Sequence, residues 1–148
     1  MSNKPLDAGI TRAGEGHSGV VWNVLGHTYY FKSVCESTFH FETLDPPGTF
    51  VPPHIHPTQD EFIYVLEGRF DLVLDGQSAN ASGGDLIRLP RGIPHGLFNH
   101  SQANITCLFW VAPTRRLWDL FQAIDNVPDP AEVVRLAGLH EVNFLPPP

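Results

Sequence analysis

From Val20 to Ala112 the chain is a succession of short runs rich in β-branched and aromatic residues, each closed off by Gly, Pro, Asn or Asp. VVWNVLG, YYFKSV, STFHFETL, EFIYVLEG, FDLVLDG, DLIRLP, GLFNH and ITCLFWVAP all have this character. Such residues suit a pleated, half-buried surface, and punctuation this frequent leaves no room for long helices. The pattern predicts an all-β sandwich or barrel. Asp75-Gly76 and Gly83-Gly84 mark turns inside it, and the 14 Pro and 13 Gly of the whole chain favour many short elements.

After Ala112 the period changes. In PTRRLWDLFQAID, Leu117, Leu120, Phe121 and Ile124 fall on one helical face. Asp129 is placed to cap a second helix, with Pro130 at its first position, Glu132 completing a capping-box-like pair and Gly138 ending it. Two short helices are expected on the edge or the outside of the sheet, their apolar stripe in contact with the core. Residues 1–18 are polar and Gly-rich and read as a flexible N-terminal arm. The divisions are thus the arm at 1–18, a β-barrel at 19–113, and a helical extension with a Pro-rich tail at 114–148.

A length of 148 residues fits one domain with one core. A hydrophobic fraction of 42% and a charged fraction of 17% describe a soluble globular protein. The net charge of -7, with no Lys/Arg run to offset it, argues against nucleic acid and against anionic membrane as partners. No apolar stretch approaches a membrane-spanning length, and the first residues lack the apolar core of a secretory signal. Cys35 and Cys107 are too few for a disulfide framework and read as small buried hydrophobes. The cytoplasm is the expected location.

The chemistry concentrates in VPPHIHPTQDEFIYVLEG, residues 51–68. His54 and His56 stand two apart, so on a strand both imidazoles point to one face. His-x-His is a cheap pattern in a chain with 8 His, and needs further support. Glu61 is five residues beyond His56, but Pro57 breaks the strand between them, and a turn there lets Glu61 open the next strand facing the same point. Asp60 would then face the other way. Downstream, in GDLIRLPRGIPHGLFN, Pro90 stops a strand, Gly92 and Pro94 shape a turn, and His95 begins another strand. Three imidazoles and a carboxylate suit a divalent iron, manganese, nickel, cobalt, zinc or copper ion, and the residue types do not choose among them.

These two stretches resemble the paired motifs of the cupin superfamily. Gly48, His54, His56, Glu61 and Gly68 fit G-x5-H-x-H-x4-E-x6-G, and Gly84, Pro90, Gly92, His95 and Asn99 fit G-x5-P-x-G-x2-H-x3-N. Fifteen residues separate Gly68 from Gly84, as in compact single-domain cupins. The resemblance covers about Val20 to Pro113. The PPGTFVPPHIHP lead-in and the tail are similar to small cupins described as quercetin-dioxygenase-like. The resemblance implies a jelly-roll barrel (the double-stranded β-helix) with one divalent metal held by His54, His56, Glu61 and His95. It also implies Asn99 and the glycines in structural positions, and a homodimer.

Glu61 has two readings, as a metal ligand and as a base beside a bound substrate. Strand parity from the motif histidines and Glu61 places Phe50, Pro52, Ile63, Val65 and Leu97 inside, and the resemblance adds Leu108 and Trp110, with Cys107 and Phe109 outside. Such a cavity, with Arg88 as its only candidate cation, suits a small apolar or phenolic molecule better than a sugar phosphate. His17, His27, His40, His100 and His140 lie outside the motifs and read as surface or hydrogen-bonded histidines, with His40 the one to watch because it lies on a strand. The expected function is a metal-dependent, quercetinase-like dioxygenase. A metal-assisted isomerase, decarboxylase or lyase is the alternative enzyme, and a non-catalytic small-molecule-binding protein the alternative outside enzymes.

Overall fold

The computed structural model describes residues 6–146. Its strands are β1 (Val21–Val24), β2 (His27–Val34), β3 (Phe39–Asp45), β4 (Phe50–Ile55), β5 (Asp60–Glu67), β6 (Arg69–Leu74), β7 (Gln77–Ser82), β8 (Leu86–Leu89), β9 (His95–Phe98), β10 (Ile105–Ala112) and β11 (Asn143–Phe144). Two helices follow β10, α1 (Leu117–Ile124) and α2 (Pro130–Gly138). One sheet has the order β1-β2-β3-β10-β5-β8 and the other β11-β4-β9-β6-β7. Beyond β3 the chain alternates between the sheets except at the β6–β7 hairpin, and the two sheets face each other as a jelly-roll.

The core fills the space between them. Ile63 and Val65 of β5 and Ile105, Cys107 and Val111 of β10 are inaccessible to solvent and meet Phe70, Leu72 and Leu97 of the other sheet in one cluster. Each such side chain, removed from water, contributes roughly 1.5–3 kcal/mol. Turn chemistry sets the registers. Asp75 and Gly76 both have positive φ, 49° and 79°, the backbone that matches the twist of the β6–β7 hairpin. Gly68, between β5 and β6, has φ 94°, and a Cβ there would lie 2.9 Å from the Ile105 side chain and 3.0 Å from the Asn104 carbonyl oxygen. Asn99 is buried, and its side-chain amide donates to the carbonyls of Asp45 and Ala103, pinning the β9–β10 loop to the end of β3.

The helices do more than pack on a sheet edge. The buried face of α1 is Leu117, Leu120, Phe121 and Ile124. It docks on an aromatic cluster in which Phe121 lies 4.9 Å from Phe41 and 5.4 Å from Trp22, ring centre to ring centre. Trp22 Nε1 donates to Gln122 Oε1 at 2.8 Å, and the Asn23 amide donates to Asp125 Oδ1 at 2.8 Å, which fasten α1 to β1. The Asp129 side chain caps α2 by accepting from the Ala131 amide, whereas Glu132 pairs with Arg135 instead of closing a capping box. Beyond α2, β11 joins β4, with Phe144 opposite His54.

The segment expected to be a flexible arm is held over part of its length. Lys32 Nζ donates to the carbonyls of Arg12 and Glu15, and Glu42 accepts from the Gly14 amide. The Lys32–Glu42 ion pair, largely sheltered on the sheet, supplies both anchors. The first five residues of that segment, and the last two prolines of the tail, lie outside the described residues.

Candidate metal centre

His54 is near the end of β4, His56 stands just past it, and His95 opens β9. The β4–β9 ladder sets His54 directly opposite His95, so residues 41 apart in sequence share one face. Gly92, with φ 80°, donates its amide to the His56 carbonyl at 3.0 Å, which joins the second motif's turn to the first motif. The three rings converge, with centroids 4.3 Å apart for His54–His95, 5.2 Å for His54–His56 and 5.5 Å for His56–His95.

Each ring has its Nδ1 against an acceptor. His54 Nδ1 donates to the Pro52 carbonyl at 2.8 Å and His95 Nδ1 to the Ile93 carbonyl at 3.1 Å. His56 Nδ1 donates to Gln59 Oε1 at 3.0 Å. Gln59 is oriented in turn, because its Nε2 donates to the carbonyls of Pro113 and Thr114. With protons on Nδ1, the Nε2 lone pairs of His54 and His95 are free to bind a cation, and that of His56 becomes free once it gives up the proton it shares with Glu61. One nitrogen from each ring lies within 4.8 Å of the other two. His95 Nε2 is buried without a hydrogen-bond partner among the described residues. A buried, unpaired nitrogen beside two like ones is unfavourable unless something accepts its lone pair. A divalent ion with imidazole affinity fits that requirement.

Glu61 reaches the same point from β5, in the opposite sheet. Its Oε2 is 3.0 Å from His56 Nε2 and its Oε1 is 3.8 Å from His95 Nε2. Burial alone would raise this carboxyl, but the charge and hydrogen bond of His56, then the charges of His95 and His54, outweigh it and hold it at about 2. Burial, reinforced by His95 and His56, pushes His54 down to about 3. His95 is also lowered, chiefly by burial. Burial lowers His56 too, but Glu61 beside it more than compensates, so His56 holds a proton more readily than a free imidazole. Asp60 points away and pairs with Arg91 at the surface.

Beside the histidines lies a partly open cavity of about 110 Å³. An apolar cavity of roughly 150 Å³ takes a benzene ring, so this one admits a single small ring at most, with anything larger reaching the mouth. Leu97 is on its wall. Of the other expected wall residues, Ile63, Val65, Leu108 and Trp110 are not on it, and Phe50 is at its rim. A bulge between Val51 and His54 shifts the β4 register, so that Val51, not Phe50, shares the face of Leu97. Phe50 only rims the cavity; it is 56% exposed and its ring stacks on Phe98. Ile63 and Val65 do point inward but are sealed in the core and absent from the wall. On β10 the inward residues are Cys107 and Phe109, whereas Leu108 and Trp110 face outward, Trp110 stacking between Phe62 and His40. Arg88 is exposed, and no Lys or Arg lines the cavity.

Several residues that line the cavity were not read as wall residues from the sequence. Phe41, Tyr29 and His27 come from the first three strands, and Leu120, Phe121, Val133 and Phe144 from the C-terminal elements. His27 carried one usable signal, its parity with Tyr29. Gln59 carried only its position between two motif residues.

Residues 41–111 match the family model described as a cupin domain, and barrels solved as cupins superpose on this one. The barrel is a cupin domain. A cupin of Shewanella frigidimarina described as RmlC-like aligns at 16% identity with a TM-score of 0.65, over 76% of this chain and 97% of that one. An uncharacterised protein of Methanocaldococcus jannaschii is 33% identical over 55% of this chain and 63% of its own length. Quercetin 2,3-dioxygenase of Bacillus subtilis is 33% identical over 57% of this chain but 25% of its own. The chain spans less than two thirds of the length of these curated relatives. No helix among the described residues is long and apolar enough to cross a membrane.

Proposed function

We propose that this cupin holds one divalent transition metal on His54, His56, His95 and Glu61 and uses it to oxidise a small apolar or phenolic molecule by dioxygenase-type chemistry. The observation that carries the metal is the bare, buried Nε2 of His95, set among two other imidazoles whose Nδ1 atoms are already engaged. When bound, such an ion would supply Lewis acidity, and iron, manganese, nickel, cobalt or copper would also supply a redox-capable centre. The histidines hold it through orientations fixed by Pro52, Gln59 and Ile93. Glu61, ionised at neutral pH, accepts the proton of a substrate hydroxyl. The apolar wall excludes water and seats the body of the molecule.

The lack of a cationic side chain on the wall supports an uncharged or phenolic substrate over a phosphorylated one. The partial likeness to a quercetin dioxygenase supports the reaction class. The small cavity favours a single ring over a flavonol. The test is elemental analysis of the purified protein followed by oxygen-uptake assays with catechols and flavonols. Metal-dependent uptake that H95A abolishes is the expected result. Stoichiometric metal without uptake on any member of the panel would sink the dioxygenase reading, and turnover without oxygen would replace it with isomerase, decarboxylase or lyase chemistry.

A further inference from the structure

The polar groups on the cavity wall are few, and most are committed. His54 and His56 spend Nδ1 on Pro52 and Gln59. His27 spends both nitrogens, Nδ1 on Asp45 Oδ1 at 2.6 Å and Nε2 on the Phe50 carbonyl at 3.1 Å. Asp45 also accepts from Thr43 Oγ1. The remaining wall outside the metal centre is Val, Leu, Ile, Phe, Pro and Ala, with one exception, Tyr29.

The Tyr29 ring is held on three sides, with centroids 5.0 Å from Phe121, 5.3 Å from Phe41 and 5.9 Å from His27. Its hydroxyl has no hydrogen-bond partner among the described residues. Tyr29 lines the cavity and is part-buried, so a donor that no side chain engages is open there to whatever fills the cavity. We propose that Tyr29 is a specificity-determining residue whose hydroxyl donates to an acceptor oxygen of the bound molecule. The ligand class is then an apolar ring compound bearing a carbonyl or ether oxygen. This rests on the reading above that the cavity is the substrate site, and it adds what the substrate must carry beyond an oxidisable hydroxyl.

The surroundings keep the donor a donor. Burial, and then the carboxylates of Asp45 and Glu61, push the phenol well above its ordinary range, so it retains its proton. Glu61 supplies the opposite function, an acceptor. The wall therefore discriminates by type: oxygen acceptors at Tyr29, proton-bearing oxygens at Glu61. A site built around one such donor rejects a shape-matched molecule that lacks the acceptor, because the donor is left unpaired.

The test uses cyclopentanone and methylenecyclopentane, which share a shape and differ in a carbonyl oxygen. Their affinities are measured by NMR titration on the full chain and on Y29F, with metal binding of both proteins measured in parallel. Tyr29→Phe should weaken the ketone about five- to tenfold, the loss of one hydrogen bond. It should leave the olefin within about twofold, which also reports that the variant is folded. Equal ketone affinity in the two proteins overturns the assignment, as does failure of the native protein to bind either probe. The metal arm separates the two readings. If Y29F shows the ketone effect but neither protein takes up zinc or nickel, the binding role of Tyr29 stands and the metal-dependent function falls.

Discussion

Gln59 ties His56 to the chain entering α1: its Oε1 accepts from His56 Nδ1, while its Nε2 donates to Thr114 at 2.7 Å and to Pro113 at 3.2 Å. It is 1% exposed, so none of these bonds is shared with bulk water. One side chain therefore fixes the tautomer of a candidate ligand and anchors the segment that leads to the lid of the cavity. Truncation to Gln59→Ala should lower metal affinity roughly 10- to 100-fold, the usual effect of removing an outer-shell partner. Chelator competition measures it, and unchanged affinity would show that His56 needs no such support.

Removing a ligand should have a larger effect. His95→Ala is expected to reduce metal affinity by more than the roughly 100-fold ceiling of an outer-shell change. Metal-free H95A should lose less stability than its burial suggests, because the native Nε2 is unpaired there. Zinc titration and chemical denaturation of the same sample separate the two effects.

Acid should destabilise the metal-free protein in two stages. His54 and His95 have folded values below the ordinary 6.5, so the unfolded chain binds their protons first and stability falls as pH drops below about 6.5. Glu61, held at about 2 against 4.5, contributes stability above 4.5 that is lost between those values. His56 runs the other way, since its raised value adds stability below 6.5 that fades as pH rises through it. His54→Gln should flatten the first stage in denaturation curves taken between pH 7.5 and 5. An unaltered slope would place the acid sensitivity elsewhere.

The α1 lid should be measurable as packing energy. Phe121 contacts the rings of Trp22, Tyr29, Phe39 and Phe41, so Phe121→Ala should cost about 3–5 kcal/mol. It should also enlarge the cavity enough to admit bigger rings, read as tighter binding of naphthalene-sized probes. A loss of stability without any change in probe size would mean that the lid collapses into the space.

The two faces of β10 make opposite predictions. Phe109→Ala should alter ligand binding, because Phe109 is on the wall. Trp110→Ala should leave binding unchanged, because its ring stacks on Phe62 at 5.3 Å on the outer face. Reversed outcomes in the same titrations would restore the inward assignment of Trp110.

The sequence by itself determined the parts that rest on local rules. Alternation and turn residues specify the strands, the i, i+3, i+4 spacing specifies α1, and the paired motifs place His54, His56, Glu61 and His95 where they can meet. Tertiary structure decided the rest. CLFWVA is apolar on both parities, so only the opposing sheet could choose Cys107 and Phe109 for the interior. The bulge before His54 arises from pairing with β9, and it leaves Phe50 at the rim of the cavity. The link from Gln59 to Thr114 spans 55 residues, and the return of Phe144 to the edge of β4 spans 90 from His54. Contacts at such separations have no period to read. They exist only once the barrel is closed and leaves a mouth for the C-terminal helices to cover.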